Sequence, residues 1–299
     1  MPAAKFDPAK DVPDLTGKII LITGGTAGIG AATLIALASH NASHLLFTGR
    51  NAAAAASTIS SVHAISPSTP ITFFPCDLSS LSSVSSTASS LLTTLPHLDI
   101  LLCNAGIMAL PPSLSPDGYE IQFATNHLGH ALLIKKLLPL LRKSPDPRVV
   151  LVSSEAFRGA PAEGILFDTL KTPQDMPLGR FRRYAQSKLA NLLYARELER
   201  RALGVLSFSV TPGVVNTAMV REASLLDKAV AYLTNRVQSV EEGTWNLLWA
   251  VGVGRNEVEG GAFYGPVGVK NETGTRARRD ESVAERLWEW TEGELERWM

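Results

Sequence analysis

The sequence has few cysteines, no net charge and no long hydrophobic run, and each shortage argues against a class of protein. Only two of its 299 residues are cysteines, Cys76 and Cys103, and both lie inside apolar runs typical of strands. Two buried thiols are therefore expected rather than a disulfide, as in proteins of a reducing compartment.

Charge and hydropathy argue against further classes. The 28 lysines and arginines balance 28 acidic residues, so the chain has no electrostatic footprint for nucleic acid or an anionic membrane. The first residues lack the apolar core of a signal peptide, and no stretch approaches the roughly 20 apolar residues that span a bilayer. We expect a cytoplasmic protein with no membrane span and no nucleic-acid partner.

The length of the chain predicts one large α/β domain. At 299 residues it exceeds a minimal domain, and its 45% hydrophobic residues are ample for a core. Within this single domain, residues 1–16 are predicted to be an N-terminal extension, 214–240 a region over the substrate, and 280–298 a C-terminal helix.

Short apolar runs alternate with helical segments along the whole chain. The predicted strands occupy residues 18–23, 44–48, 71–76, 98–103, 148–153, 205–210 and a short run around 262–264. Near-continuous apolar strands indicate a sheet that is covered on both faces, and intervening helices indicate parallel crossovers. The pattern predicts a doubly wound, mostly parallel seven-stranded sheet with helices on both faces.

Three long helices are predicted, over residues 120–141, 184–202 and 280–298. The last one repeats apolar residues at near-helical spacing, namely Val283, Leu287, Trp290, Leu295 and Trp298. This stripe is interpreted as a docking face on the core, with a partner-binding surface as the alternative. The Ala/Ser/Thr-rich segments 52–69 and 79–94 are expected to be solvent-facing helices and loops.

A glycine-rich turn joins the first predicted strand to the first helix. Its sequence from Thr23 onward is TGGTAGIG, in which Gly24, Thr26, Gly28, Ile29 and Gly30 are candidate contacts for a dinucleotide. Glycine lets the backbone take a positive φ and lets a pyrophosphate come close, while the helix N-terminus offers free N–H groups. The turn alone is weak evidence, because it also occurs for structural reasons.

The end of the second predicted strand favours NADP(H) over NAD(H). An acidic residue at this point would bind the ribose 2′-hydroxyl of NAD, but the chain has Arg50 and Asn51 instead. The Arg50 guanidinium can pair with a 2′-phosphate through two hydrogen bonds. The alternative is that Arg50 is an ordinary exposed loop residue.

Tyr184 and Lys188 are four residues apart, which places a phenol and an amine on one face at the start of a helix. A free tyrosine titrates near pH 10, and a neighbouring ammonium is expected to lower its pKa towards neutrality. The pair follows the fifth strand, which ends at Ser153 and Ser154, on the sheet edge where such folds bind ligands.

Taken together, these motifs resemble those of short-chain dehydrogenases/reductases. The resemblance covers about residues 15–268 and rests on motifs in the expected order: TGGTAGIG, Asn104-Ala105-Gly106, Asn126, Ser154, Tyr184 with Lys188, and Pro212-Gly213. It implies a Rossmann fold. The stretches 126–130 and 48–51 are most similar to the retinol-dehydrogenase and WW-domain-oxidoreductase branch.

The resemblance implies four catalytic residues. Tyr184 would exchange a proton with the reacting oxygen, and Lys188 would lower the pKa of the tyrosine and hold the nicotinamide ribose. Ser154 would hydrogen-bond the same oxygen, because family members with paired serines use the second one. Asn126 would hold a water that continues the proton path beyond Lys188.

The resemblance also implies further cofactor contacts. Asn104, Ala105 and Gly106 would pass beneath the adenosine ribose, while Asp77 and Leu78 would contact the adenine. Pro212, Gly213 and Thr217 would hold the carboxamide end of the nicotinamide. In this family the helices around Asn126 and Tyr184 often form the subunit interface, so a homodimer or homotetramer is expected.

The substrate can be inferred only as a class. Segments 157–183 and 214–240 should wall its site, with Met108, Phe157, Met176, Phe181, Met219, Leu225 and Tyr232 either binding an apolar ligand or packing a lid. Arg180, Arg182 and Arg183 either meet an anionic group or are solvated. His127 and His130 lack a third metal ligand, so a packing role is expected and no metal is predicted.

Three functions remain open at this stage. The leading hypothesis is a carbonyl reductase of secondary metabolism for a hydrophobic ketone or aldehyde, with hydride chemistry supplied by the cofactor. A non-redox isomerase or cyclase on the same fold is the second. A nucleotide-binding regulator without turnover is the third, since fold alone does not fix function.

Overall fold

The computed structural model describes residues 6–201, 204–216, 237–272 and 280–299. Its strands are β1 Ile19–Thr23, β2 His44–Gly49, β3 Ile71–Pro75, β4 Ile100–Cys103, β5 Arg148–Val152, β6 Leu206–Val210, β7 Val214–Val215, β8 Val237–Gln238, β9 Phe263–Gly265 and β10 Val269–Lys270. Its helices are α1 Pro8–Asp11, α2 Gly28–Leu37, α3 Ala52–Ile65, α4 Leu81–Thr94, α5 Ile121–Phe123, α6 Gly129–Leu141, α7 Gly179–Arg200, α8 Val240–Gly252 and α9 Glu281–Leu295.

The main sheet has the strand order β10-β9-β6-β5-β4-β1-β2-β3. All of its neighbouring strands pair in parallel except β9 and β10, which are antiparallel. The predicted doubly wound, mostly parallel Rossmann sheet is therefore confirmed. The predicted count of seven strands is wrong, because the chain turns back after β9 and adds β10 as an eighth strand at the edge.

The two faces of the sheet are covered by different helices, because successive strand residues point in opposite directions. In β1, Leu21 packs into the core beneath α4, α6, α7 and α9. Its neighbours Ile20 and Ile22 pack into the core beneath α2, α3 and α8. Side chains on both faces of the central strands are fully buried, which accounts for their unbroken apolar sequences.

The helices confirm the predicted segments but change their boundaries. The segment 120–141 consists of α5, a π-helical stretch Ala124–Leu128 and α6. Helix α7 begins at Gly179, so Tyr184 lies in its second turn rather than at its start. The segments 52–69 and 79–94 contain helices α3 and α4, each with one buried and one exposed face, capped by the side chains of Asn51 and Ser80.

The C-terminal helix α9 docks on the core, as its apolar stripe predicts. The Trp290 ring meets those of Tyr119 and Phe123 at centroid distances of 6.0 and 5.7 Å. His127 Nε2 lies 3.0 Å from the Thr291 hydroxyl oxygen. The stripe is therefore buried against the outer side of the π-helical stretch and α7.

The predicted region 214–240 is described only at its two ends, where β7 and β8 pair in parallel as a separate two-stranded sheet. The N-terminal extension contains the single turn α1, from residue 8 to residue 11. Across the described ranges, the helices are too short or too polar to traverse a lipid bilayer.

Candidate functional site

The candidate residues gather at the carboxyl ends of the parallel strands, around β1 and β4. The strand order reverses at β1, because β2 lies on one side of it and β4 on the other. Such a switch point opens a crevice between the loops that leave the two strands. The glycine-rich turn follows β1, Asn104 follows β4, and Ser154 lies two residues beyond β5.

The glycine-rich turn depends on glycine at several positions, of which Gly24 and Gly30 meet the backbone and side chains of other loops. Gly24 has φ +71°, and a Cβ there would lie 3.0 Å from the Cα of Ala105. A Cβ on Gly30 would collide with the carbonyl oxygen of Gly24 and the amide of Asn104. Helix α2 starts after Ala27 with no side-chain cap, so its first N–H groups face the crevice without a side-chain acceptor. Thr26 and Ile29 lie half-buried within this turn.

The end of β2 lies against the glycine-rich turn. Gly49 packs closely on Thr26, because a Cβ on this glycine would be only 2.5 Å from the Cγ2 of the threonine. Arg50 is the next residue in the chain and therefore lies at the border of the turn. Arg50 is exposed, and among the described residues its guanidinium has no hydrogen-bond or ion-pair partner. Asn51 is partly engaged, because its side-chain oxygen accepts the N–H of Ala54 at 3.0 Å and caps α3.

The loops after β3 and β4 are tightly organised. Asp77 Oδ1 accepts the backbone N–H and the hydroxyl of Ser79 at 2.9 and 2.7 Å, and Leu78 beside it is buried. Asn104 donates its amide to the Thr23 carbonyl at 2.9 Å, and the Ala105 N–H donates to the Thr23 hydroxyl at 3.0 Å. The end of β4 is thus fastened to the end of β1.

Asn126 lies fully buried in the π-helical stretch, which shifts the helical hydrogen-bond register. Its side-chain amide exchanges two hydrogen bonds with the backbone of Ile107, at 2.8 and 2.9 Å, and donates to the Ser187 hydroxyl at 2.9 Å. Its backbone carbonyl accepts from Nδ1 of His130 at 2.9 Å. The side chain therefore holds the loop after β4, while the carbonyl is held by a histidine.

His130 and His127 are both buried and neutral. Burial lowers the pKa of His130 to about 4, so Nδ1 carries the proton that Asn126 accepts and Nε2 accepts from the Thr23 hydroxyl at 2.8 Å. Burial lowers the pKa of His127 to about 3. Within the described part of the chain, no three potential ligand side chains are grouped so as to hold a metal ion.

Tyr184, Ser154 and Lys188 form the centre of the site. Tyr184 is 8% exposed, and the Ser154 side chain is near enough to its hydroxyl to act on the pKa of the phenol. Lys188 donates its Nζ to the carbonyl of Val152 at 3.0 Å and lies 5.6 Å from the centre of the Tyr184 ring. Ser153 instead donates to the carbonyl of Lys188 at 2.7 Å, so the two adjacent serines occupy different environments.

The expected lowering of the tyrosine pKa is wrong for this structure. Burial raises the pKa of Tyr184 to about 12, and the neighbouring Ser154 side chain opposes this only in part. Burial also lowers the pKa of Lys188 to about 8. Removal from water penalises the charged form of each group, the phenolate of Tyr184 and the ammonium of Lys188. The phenol is therefore protonated at neutral pH.

The loop after β6 contributes Pro212 and Gly213. Pro212 is buried, and Gly213 has φ +83° with the side chain of Gln238 packed against it. Thr217, the third predicted contact of this group, lies outside the described residues. Met219, Leu225 and Tyr232 of the predicted substrate wall lie outside them as well.

The described residues of the predicted substrate wall differ in burial. Phe157 is wholly buried and its ring meets that of Phe263 at 5.7 Å, so it belongs to the core. Met108, Met176 and Phe181 are half-buried. Arg180 and Arg182 are exposed.

The interpretation of Arg183 as a solvated or anion-binding residue is wrong. It is 1% exposed and pairs with Glu120, with 3.2 Å between Nε and Oε1. Sequence reasoning missed Glu120 and Gln122 as well, although two polar residues at the head of an apolar helix were a visible signal.

Comparisons with known proteins converge on one family. The family model for short chain dehydrogenases matches residues 18–168. The chain is 33% identical to the short-chain dehydrogenase/reductase drtF of Aspergillus calidoustus, over 95% of each protein. It is 34% identical to human retinol dehydrogenase 12, over 92% of this chain and 85% of the relative. A crystal structure of an uncharacterized protein from Mycobacterium paratuberculosis superposes with a TM-score of 0.76 at 28% identity, over 98% of both chains.

Proposed function

The chain belongs to the short-chain dehydrogenase/reductase family, and on that premise we propose that it reduces the carbonyl group of a hydrophobic ketone or aldehyde with NADPH. The observation that carries the proposal is the buried Tyr184, near Ser154 and one helical turn from Lys188, whose Nζ lies 5.6 Å from the centre of the tyrosine ring. A protonated phenol in an apolar setting is the form required of a proton donor.

The residues around the crevice fit a dinucleotide. The glycine-rich turn and the uncapped start of α2 would hold the pyrophosphate, with Thr26, Gly28 and Ile29 along its path. Asn104, Ala105 and Gly106 would pass beneath the adenosine ribose, and Asp77 with Leu78 would border the adenine. Pro212 and Gly213 would contact the nicotinamide end. When bound, NADPH supplies the hydride that is added to the carbonyl carbon.

The proton chemistry belongs to this chain. Tyr184 donates its hydroxyl proton to the carbonyl oxygen, and Ser154 donates a hydrogen bond that keeps this oxygen next to the phenol. The Lys188 ammonium lies one turn away, where it stabilises the phenolate that is left. The backbone carbonyl of Asn126 is the proposed acceptor for a water that returns the proton.

Arg50 supports NADP(H) over NAD(H). It is exposed at the border of the glycine-rich turn, and no partner among the described residues neutralises it. No carboxylate stands at the end of β2 to repel a 2′-phosphate. A guanidinium in this position binds a phosphate strongly and leaves a plain ribose without an ionic partner.

An apolar substrate is supported by apolar side chains at the start of α7 and in the 107–110 segment that Arg183 bonds to this helix. Leu110 and Leu178 are 37% and 72% exposed, and Met108 and Phe181 nearby are half-buried. The human relative is named for retinol, which agrees with an apolar substrate class.

The two cysteines are buried free thiols, which supports the cytoplasm or another reducing compartment.

The test follows NADPH absorbance with a panel of hydrophobic ketones, quinones and aldehydes and identifies the products. Stoichiometric NADPH oxidation and alcohol formation are expected for at least one compound. Tyr184→Phe should abolish turnover and leave the NADPH dissociation constant within about twofold, because only the hydroxyl is lost. Conversion without net redox would indicate an isomerase or cyclase, and tight nucleotide binding without any turnover would indicate a regulator.

A further inference from the structure

The loop that leaves the cofactor side of the site, residues 107–110, runs alongside the start of α7. It begins next to Lys188, because a Cβ on the preceding Gly106 would be 3.4 Å from Lys188 Nζ. It ends at Leu110, whose carbonyl accepts from Arg183 Nη2 at 2.8 Å. Since Tyr184 lies between Arg183 and Lys188 in the chain, the loop runs beside the turns of α7 that bear the phenol.

Side chains of Asn126, Gln122 and Arg183 hydrogen-bond the backbone of three of the four residues in this loop. Asn126 holds the N–H and the carbonyl of Ile107, and Gln122 Oε1 accepts the N–H of Ala109 at 2.9 Å. Ala109 has φ +57°, a left-handed conformation that alanine seldom adopts without support from its surroundings. The shape of the 107–110 loop therefore depends on side chains from α5, the π-helical stretch and α7.

The fastening side chains are themselves buried and linked to each other. Glu120 and Arg183 are 0% and 1% exposed and form an ion pair, and Glu120 Oε2 also accepts the N–H of Phe123 at 2.7 Å. Gln122 donates its amide to the carbonyl of Arg180 at 3.0 Å. Arg183 Nη1 donates to the carbonyl of Gln174 at 2.9 Å.

A buried ion pair seldom adds to the stability of a fold, because well-packed apolar residues of similar volume usually give the same or a higher free energy of unfolding. The Glu120–Arg183 pair does something that an apolar pair could not. Its guanidinium joins the carbonyls of two separate loops, at Leu110 and Gln174, to the first turns of α7. Both loops thus keep a fixed position next to Tyr184.

We propose that Glu120, Gln122 and Arg183 are positioning residues that fix the 107–110 loop as the wall of the substrate site and so select among apolar carbonyl compounds. This inference rests on the proposed function. The fixed wall sets how large an apolar group can lie next to the tyrosine hydroxyl. Loosening the wall should change substrate choice and leave the dinucleotide side intact.

The experiment compares Glu120→Gln and Gln122→Met with the wild type. Both variants keep the side-chain volume, and Gln122→Met leaves the ion pair in place in case Glu120→Gln folds poorly. Arg148→Met is the matched control, because Arg148 is also buried, paired with Asp146 and bonded to backbone carbonyls, but lies at the opposite end of the sheet. The measurements are kcat and KM for acetophenone and 2-acetylnaphthalene, the NADPH dissociation constant, and hydrogen exchange of the Ala109 amide.

In the two loop variants we expect the ratio of kcat/KM for the two ketones to change at least tenfold, mainly through KM. Exchange of the Ala109 amide should accelerate at least tenfold, and the NADPH dissociation constant should stay within about twofold. In Arg148→Met neither the ratio nor the exchange should change.

A ratio that stays within twofold in an active protein, or an equal change in Arg148→Met, overturns the inference. Unchanged exchange at Ala109 overturns it as well, because the loop would then not depend on these side chains. A wild-type protein that reduces no carbonyl compound refutes the proposed function itself, a result distinct from an active enzyme with unaltered selectivity.

Discussion

Lys188 allows a quantitative prediction, because the proposed mechanism requires its ammonium in the charged form and the side chain is buried. The side chain is 4% exposed, and burial lowers its pKa to about 8. It is charged below that pH and loses the proton as the pH rises. Between pH 7 and pH 9 the charged fraction falls from about nine tenths to about one tenth, so kcat/KM for ketone reduction should fall about tenfold.

Tyr184 should add no further decline over this range. Burial raises its pKa to about 12, so the phenol keeps its proton throughout an assay from pH 6 to pH 10. Lys188→Arg should remove the decline above pH 8, because a guanidinium stays charged, although the larger group lowers the absolute rate.

The assay is the initial rate of NADPH oxidation at a ketone concentration well below KM, which reports kcat/KM directly. Enzyme held at pH 9 and returned to pH 7 must recover full activity, so that the loss is titration and not unfolding. A rate that stays constant up to pH 10 would refute the reasoning, since it would show that the charge on Lys188 is not required.

Three further variants test other parts of the site and fold. Arg50→Ala should weaken NADPH binding by about 1–3 kcal/mol in a fluorescence titration; an equal loss for NADH would contradict the assignment of NADP(H). Gly30→Ala should abolish nucleotide binding, since the new methyl meets the Gly24 carbonyl and the Asn104 amide; normal affinity would show that the turn can yield. Trp290→Ala should lower the free energy of unfolding in urea by about 2 kcal/mol, below the value for a fully buried ring, because this one is half-exposed. An unchanged midpoint would show that the C-terminal helix adds no stability.

The positions of the central strands were largely predictable, because each of them is buried on both faces and has to be apolar throughout. The edge strand β10 was not, because its two residues, Val269 and Lys270, are exposed and form no apolar run. The π-helical stretch is also invisible in the sequence, since it changes only the hydrogen-bond register within one long helix.

The relative placement of the candidate residues was predictable where it depends only on spacing within one helix. Properties that depend on burial, such as pKa values and ion pairs, were not predictable. The spacing of Tyr184 and Lys188 places them on one helical face whatever surrounds them. Their pKa shifts depend on loss of water, which no spacing reveals, and so the direction for Tyr184 was wrong. Arg183 follows another arginine in a polar stretch, and only the folded chain brings Glu120 to it.

The C-terminal helix α9 limits how copies of this chain can assemble. It covers the outer side of the helices that bear Asn126 and Tyr184, where Trp288 stacks on Tyr194 at 5.1 Å and Lys135 pairs with Glu292 at 2.7 Å. A second copy cannot dock there unless α9 first detaches. An assembly that leaves α9 in place must use another surface, such as the open sheet edge at β10, where Val269 is 52% exposed.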